Sequence, residues 1–341
     1  MRMFVFVTRM SIVLLLSLAT LPHAISAQVK VHKFTYHGWE NSYRITNGLV
    51  DVVVVPQIGR IMGYGFTGGA NVLWGNPKWY GKLRSDAPPN KWANFGGDKV
   101  WPGPQDEWKV VMGRAWPPDE AFDGGVCTVD ELPDGVRLIA PVSPYYGAWL
   151  VRELHLDAET SRLVINQKIE KLRLPIVNML IWSVTQICSP DLVIIPLNPN
   201  SKFHKGFTVL HGGDVSARYR RRHGEFLLIR RHPKYPTKVG ADSTAGWIAS
   251  FHGDVVFTQH YTFEPDAKYP DGGCTVEVYT SPDPLAYVEL ELLSPVHRPN
   301  QGESFSFNIS WQLHKLPHTP RSDAERIRIM RKLAGQFKRL K

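Results

Sequence analysis

The chain has 341 residues with a formal net charge of +9, and 43% of its residues are hydrophobic. Its three cysteines are widely spaced and allow one disulfide at most, which excludes a small disulfide-stabilised fold. Much of the positive charge lies after residue 320, where eight Lys or Arg residues accompany two acidic ones. The remainder of the chain is nearly balanced, so the composition argues against a surface that binds nucleic acid.

The first 27 residues have the pattern of a secretory signal peptide. Arg2 and Arg9 precede a short apolar run at residues 11–21, and small residues follow this run at a plausible cleavage point. The run is too short for a comfortable membrane span, and no later stretch approaches ~18 uninterrupted apolar residues. We therefore expect an exported protein, and the low cysteine content favours a bacterial periplasm or secretion into the medium.

From residue 28 onward, short runs of alternating apolar and polar residues predict β-strands. The first clear run, residues 49–55, follows an Asn-Gly turn at Asn47 and Gly48. Residues 63–68 match the dinucleotide-binding pattern G-x-G-x-x-G, but a turn and another strand follow them instead of a helix. We predict no nucleotide or other cofactor, and no metal, because the sequence has no P-loop, no H-E-x-x-H motif and no C-x-x-C spacing.

Residues 94–108 (NFGGDKVWPGPQDEW) combine glycines and prolines with two tryptophans, which predicts an irregular loop rich in aromatic groups. The indoles of Trp101 and Trp108 offer faces on which the apolar side of a sugar stacks. Sugar hydroxyls would pair with the polar side chains of the segment, among them Asp98, Lys99 and Gln105. The alternative is a loop that is packed down by its own aromatic residues.

Two later strands carry further candidate side chains. Trp182 and Gln186 share one face of the strand predicted within residues 178–186, although Trp182 would also suit a core. Glu289 and Glu291 share one face of residues 287–293, either as a solvated pair or as the lining of a polar groove. In such a groove one carboxylate would act as general base. Among the histidines, the candidates for an acid or base are His155 and His260.

Many strands at short spacing indicate a single all-β domain of antiparallel sheets over residues 28–318. The other runs with this pattern are residues 163–170, 253–261, 274–280 and 304–314. A capping-box sequence then begins at Ser322 and predicts a basic amphipathic helix within residues 319–341. The apolar face of that helix would dock on the domain or, alternatively, make weak contact with an anionic membrane surface.

Several segments resemble one known superfamily. Residues 47–61, with their Pro-x-x-Gly-Arg-Ile turn, resemble the opening strands of aldose 1-epimerases, which are galactose mutarotase-like proteins. Residues 269–280, 287–295 and 302–311 resemble the closing strands, and residues 94–108 are similar to a Trp-Pro-x-Pro loop of distant members. The resemblance spans residues 42–313. Within the superfamily, the chain more specifically resembles a group of exported bacterial proteins whose activity is not settled.

The resemblance implies a β-supersandwich with a sugar-binding groove. The late-strand glutamate that serves as base in mutarotases corresponds best to Glu291, with Glu289 as the alternative. The acid histidine of the superfamily does not carry over, because Trp182 and Gln186 stand where it would be expected. Asp98 and Lys99 are then the candidates for its substitute.

Arg60 also matches a position of the superfamily, where it would either bind substrate or serve as a structural ion-pair partner. The resemblance implies a small saccharide as partner and an aldose-1-epimerase-like isomerase as function. The alternative is a saccharide-binding protein of the bacterial envelope without catalysis, which the missing histidine favours. A purely structural role of an envelope β-domain is the third interpretation, and the oligomeric state stays open.

Overall fold

The computed structural model describes residues 28–337, and the predicted signal peptide (residues 1–27) lies outside that range. The first half of the described chain contains strands β1 (Lys30–Tyr36), β2 (Trp39–Thr46), β3 (Val50–Val55), β4 (Arg60–Phe66), β5 (Asp98–Gly103), β6 (Thr128–Leu132), β7 (Gly135–Ile139), β8 (Ala148–Leu156) and β9 (Leu163–Lys171). Its short helices are α1 (Trp108–Met112), α2 (Glu120–Asp123) and the 3-10 turns Pro56–Ile58, Pro77–Trp79, Arg84–Asp86 and Gln105–Glu107.

The second half begins with β10 (Leu180–Cys188), β11 (Leu192–Pro196), β12 (Thr208–His211), β13 (Arg220–His223), β14 (Phe226–Ile229) and β15 (Thr237–Ala241). It continues with β16 (Trp247–His252), β17 (Val255–Tyr261), β18 (Val276–Thr280), β19 (Tyr287–Leu293), β20 (Ser304–Ser306) and β21 (Ile309–Lys315), and it ends with helix α3 (Asp323–Phe337).

These strands form two large antiparallel sheets, which confirms the predicted all-β class. The first sheet has ten strands in the order β1-β2-β3-β4-β5-β10-β19-β18-β15-β12. The second has eleven, of which ten follow the order β13-β14-β11-β16-β17-β21-β9-β8-β7-β6 and the eleventh, β20, pairs with β9. The centre of the first sheet therefore joins β5, β10 and β19, which are far apart in sequence.

The core lies between the two sheets and follows from the alternation of the strands. Along β8, every second residue from Ala148 to Leu156 is buried, so one face of the strand is directed at the first sheet. Tyr64 of the first sheet packs edge-on against Phe257 of the second, with ring centres 5.8 Å apart. The opposite face of the first sheet is partly covered by the loops that contain Trp92 and Trp116, and a cavity lies beside them.

The prediction of an irregular loop over residues 94–108 is wrong in its middle part. Residues Asp98–Gly103 form β5, a central strand that pairs with β10 through register partners such as Trp101 and Trp182. Every residue of β5 is buried, because protein covers the strand on both faces. A strand that is buried on both sides shows no alternation of apolar and polar residues, so periodicity in the sequence does not identify it.

The C-terminal helix is confirmed as α3. Its buried residues Ile327, Met330 and Phe337 pack on an apolar patch of the second sheet that includes Trp247. At its start, Asp323 accepts hydrogen bonds from Arg221 of β13 and from Arg230. The apolar face that a membrane contact would need is thus covered by protein. Within residues 28–337, no helix has both the length and the apolar character required to cross a membrane.

Candidate functional site

A cavity of about 450 Å³ opens on the outer face of the first sheet, and we call it the groove. Its volume lies within the range of roughly 300–1,000 Å³ that is typical of small-molecule sites. Its lining residues come from strands β5, β10, β12, β15, β18 and β19 and from neighbouring loops: Trp92, Trp101, Gln105, Trp116, Trp182, Leu210, His211, Lys238, Asp271, Tyr279, Tyr287, Glu289 and Glu291.

Strand register brings these distant residues together. Glu291 lies opposite Val184 of β10 on one side and opposite Glu277 of β18 on the other. Two residues along, Glu289 lies opposite Gln186 on one side. Because directly paired residues of neighbouring strands point to the same side of a sheet, all these side chains occur on the groove face.

One side of the groove is an aromatic wall made of Trp92, Trp101, Trp116 and Trp182. The ring centres of Trp101 and Trp182 are 5.2 Å apart in an edge-on arrangement. Trp92 and Trp116 meet Trp101 edge-on at 6.0 and 5.7 Å. Trp116 is 44% exposed, so its ring is accessible at the groove. Such a wall offers a broad apolar surface beside polar groups.

Asp123 fixes two rings of the aromatic wall from behind. Its Oδ1 accepts a hydrogen bond from Trp101 Nε1 at 2.6 Å, and its Oδ2 accepts one from Trp92 Nε1 at 2.9 Å. Arg60 donates to the same carboxylate at 2.9 Å and to the carbonyl of Gly96 at 2.7 Å. Arg60 is fully buried behind the wall, so it supports the groove and does not line it.

Glu289 uses one carboxylate oxygen for the protein and leaves the other available. Its Oε1 accepts from Lys99 Nζ at 3.1 Å and from Gln186 Nε2 at 3.0 Å. Within the described chain, no side chain or backbone group donates to its Oε2. Burial lowers the pKa of Lys99, although the charge of Glu289 opposes that shift. Lys99 and Gln186 are both fully buried and act on the groove through Glu289.

Glu291 shows the same division between its two oxygens. Its Oε2 accepts from Trp182 Nε1 at 2.7 Å and pairs with Lys238 Nζ at 3.0 Å, whereas its Oε1 has no hydrogen-bond partner among residues 28–337. Lys238 also pairs with Glu277 at 2.6 Å. Burial raises the pKa of Glu291, with Lys238 opposing and Glu289 assisting. A raised pKa makes this carboxylate a stronger base than an exposed glutamate.

Of the predicted site residues, Trp101, Gln105, Trp182, Glu289 and Glu291 line this one cavity. The placement expected for Asp98 is wrong, because it precedes Lys99 by one residue and so points to the other face of β5. There it pairs with Arg152 of the second sheet and accepts from Thr185 at 2.7 Å.

Trp108 is also absent from the lining. It is fully buried beneath Trp116, with the two rings stacked at 6.0 Å, and it donates to the carbonyl of Pro102. Its part in the site is to support the exposed ring of Trp116.

The two histidines selected from the sequence lie elsewhere. His155 is on β8 of the second sheet, with Nδ1 2.9 Å from Asp134. His260 is on β17, where its ring meets Phe337 of α3. The histidine that lines the groove is His211, at the end of β12.

His211 and Lys238 are register partners on neighbouring strands, and no local sequence motif points to either. The sequence does contain a signal for the neighbouring strand Val276–Thr280, because its alternation places Glu277 and Tyr279 on one face. No cluster of three or more His, Cys, Asp or Glu side chains within the described residues is arranged to hold a metal ion.

Comparison with known proteins identifies both a family and a fold. A family model described as a domain of unknown function (DUF4380) matches residues 41–314. No curated protein matches the chain.

Among solved structures, the chain is similar to a candidate aldose 1-epimerase from Klebsiella pneumoniae subsp. pneumoniae, with a TM-score of 0.56, 9% identity, and 90% of this chain and 87% of that chain covered. It is also similar to a galactose mutarotase-like protein from Lactobacillus casei, with a TM-score of 0.53, 9% identity, and 80% and 100% covered. A galactose mutarotase related enzyme from Lactobacillus acidophilus gives a TM-score of 0.51, 10% identity, and 82% and 99% covered. At these identities the likeness concerns the fold, and it confirms the predicted β-supersandwich.

Proposed function

Since the chain belongs to the DUF4380 family and has a galactose mutarotase-like fold, we propose that it binds a neutral saccharide in the groove and interconverts its anomers. A fold hosts many functions, so the proposal depends on the site itself. The observation that carries it is the pair of glutamates, each with one oxygen held by the protein and one left available beside the aromatic wall. Oxygen acceptors beside indole faces match a ligand with hydroxyl groups on an apolar ring.

The charges of the groove favour a neutral ligand over an anionic one. Lys99 is already paired with Glu289, and Lys238 with both Glu277 and Glu291. Neither ammonium group is left for a phosphate or carboxylate, and the available carboxylate oxygens would repel one. Hydroxyl groups, in contrast, would donate hydrogen bonds to both available oxygens.

Glu291 and His211 would share the chemistry. The available Oε1 of Glu291 would take the proton of the anomeric hydroxyl while His211 donates a proton to the ring oxygen, and the bond from the anomeric carbon to that oxygen breaks. The resulting open-chain aldehyde rotates about its first carbon–carbon bond and closes in the reverse sequence. One proton is taken and one is given, so the step is balanced without a cofactor.

The experiment is to measure binding of a panel of neutral aldoses by calorimetry and interconversion of their anomers by exchange NMR. We expect E291Q to lower the catalysed rate by about 10²–10⁴-fold while binding is retained. E159Q, at an exposed position, is the matched control. Binding without any acceleration by the unmodified protein would support the non-catalytic alternative, and absence of binding by every sugar would contradict both.

Export is also proposed, on the basis of the signal-peptide pattern of residues 1–27. In a bacterial host, the protein recovered from the periplasm should begin near Gln28, as read by N-terminal sequencing. Recovery of the full chain from the cytoplasm alone would contradict this proposal.

A further inference from the structure

Among the residues that the structure describes, three buried carboxylates share the groove face with two ammonium groups. The carboxylates are Glu277, Glu289 and Glu291, and the cations are Lys99 and Lys238. The nearby Arg60–Asp123 pair is balanced in itself and does not change this count. An uncompensated charge in a buried position is strongly unfavourable, so one carboxylate of the three requires neutralisation.

Hydrogen bonding distinguishes the three candidates, because donors to a carboxylate favour its ionised form. Glu289 has two donors, Lys99 and Gln186. Glu291 has the indole of Trp182 as well as Lys238.

Glu277 has only the ion pair with Lys238, which it shares, and neither of its oxygens accepts a well-aligned hydrogen bond from residues 28–337. It is fully buried. The titratable groups that face it are Lys238 from β15, Glu291 from β19, and Asp271 and Cys274 from the turn before β18. Two of these carry negative charge, so Glu277 is the carboxylate whose ionised form is stabilised least.

We infer that Glu277 is a neutral carboxylic acid at neutral pH and a positioning residue for Glu291. With Glu277 uncharged, the positive charge of Lys238 is committed to Glu291, which therefore stays ionised and able to accept a proton. Burial, assisted by Glu291 and Asp271 and opposed by Lys238, also raises the pKa of Glu277 well above its ordinary value. The role assigned to Glu291 rests on the proposed function, whereas the protonation of Glu277 does not.

The protonation is tested on the ligand-free protein by infrared spectroscopy in heavy water at neutral pH. We expect one carbonyl stretching band of a buried carboxylic acid, which disappears in E277Q and persists in E289Q. Absence of the band from the unmodified protein, or its persistence in E277Q, would overturn the inference. If E277Q does not fold, E277D decides, because it keeps the carboxyl group in a changed position: a displaced or lost band supports the inference, and a band unchanged in frequency and intensity places the proton on another residue and overturns it.

The positioning role is tested through Lys238. In K238M, Glu291 loses its cation, so its midpoint of protonation should rise by at least about one pH unit and a second acid band should appear near neutral pH. E277Q imitates the neutral acid and should leave that midpoint unchanged.

Where anomer interconversion is measurable, the acid limb of its pH profile should move in K238M and not in E277Q. A shifted midpoint in E277Q would show that Glu277 is ionised in the unmodified protein. Because the infrared readout needs no sugar, failure of the inference is distinguishable from failure of the proposed function.

Discussion

Strand β5 carries a buried ion pair on each of its two faces, and the carboxylates of the two pairs differ in how many of their oxygens are bonded within the protein. On the inner face, Asp98 pairs with Arg152 and also accepts from Thr185, which in turn accepts from Gln259 at 2.7 Å. On the groove face, Lys99 pairs with Glu289. Both oxygens of Asp98 are bonded within the protein, whereas Glu289 keeps one available.

This difference distinguishes an ion pair with a structural role from an ion pair that belongs to a ligand site. The inner pair ties the first sheet to the second and is not accessible to a ligand, since Asp98 is 0% and Arg152 only 2% exposed. The groove pair borders a cavity, so the available oxygen of Glu289 is in a position to receive a ligand donor. Adjacent residues of one strand thus have unrelated roles because their side chains point in opposite directions.

The largest effect is expected when the inner pair is broken. D98N leaves the guanidinium of Arg152 buried without its countercharge, which should cost about 3–5 kcal/mol of unfolding free energy. Urea unfolding measures this, with D130N as the matched control, because Asp130 pairs with Arg137 at the surface. A cost of D98N below about 1 kcal/mol, the usual value for surface pairs, would remove the distinction between the two faces.

Breaking the groove pair should cost less. In K99M, Glu289 retains Gln186 as a donor and borders the cavity, so its charge is not isolated. We expect a loss of roughly 1–3 kcal/mol in the same urea experiment. If K99M destabilised the protein as strongly as D98N, the groove pair would have to be regarded as part of the closed core.

The aromatic wall should affect binding more than stability. W116A removes the most exposed ring of the wall, and we expect saccharide affinity to fall about tenfold, or ~1.4 kcal/mol. Calorimetry measures the affinity, with Y235A as control, because Tyr235 is an exposed aromatic residue outside the groove. Unchanged affinity in W116A would show that the ligand does not contact this part of the wall.

The smallest effect is the pH dependence of stability that arises from two buried histidines of the second sheet, away from the groove. Burial lowers the pKa of His252 and of His314 to about 4, against about 6.5 for an unfolded histidine. The unfolded chain therefore binds these protons first, and stability should decrease as pH falls from about 6.5 towards 4. In H314Q, the loss of stability between pH 7 and pH 5.5 should shrink by roughly 1 kcal/mol.

Asp119 acts in the opposite direction, because burial raises its pKa to about 6 and its contribution is lost as pH rises through that range. The difference between H314Q and the unmodified protein isolates the histidine from this effect. An identical pH dependence in the two proteins would show that His314 is accessible to protons in the folded state.

Sequence alone predicts the parts of this molecule that repeat a local pattern. The strand at Tyr287–Leu293 has the bounds that its alternation indicates, and it places Glu289 and Glu291 on one face. Strand β5 escapes detection because both of its faces are buried, and this omission also hides the opposite directions of Asp98 and Lys99.

The partners of the glutamates are harder still to predict. Lys238 and His211 reach the groove only through the order of β18, β15 and β12 in the first sheet. Strand order is a tertiary property that local periodicity does not contain. The division of each carboxylate into a bonded and an available oxygen is likewise visible only in the folded protein.

Asp123 has a consequence for attempts to change ligand preference. Its two oxygens hold the indoles of Trp101 and Trp92, so a substitution of Trp92 removes the indole donor to Oδ2, and one of Trp101 leaves Oδ1 with Arg60 alone. Substitutions of Trp92 and of Trp101 therefore disturb the same buried carboxylate, and we expect their effects to depend on each other. Trp116 makes no hydrogen bond to the rest of the described chain through its side chain, and its ring is the exposed one. Position 116 is therefore the place at which a substitution library would sample new specificities while the scaffold behind it stays intact.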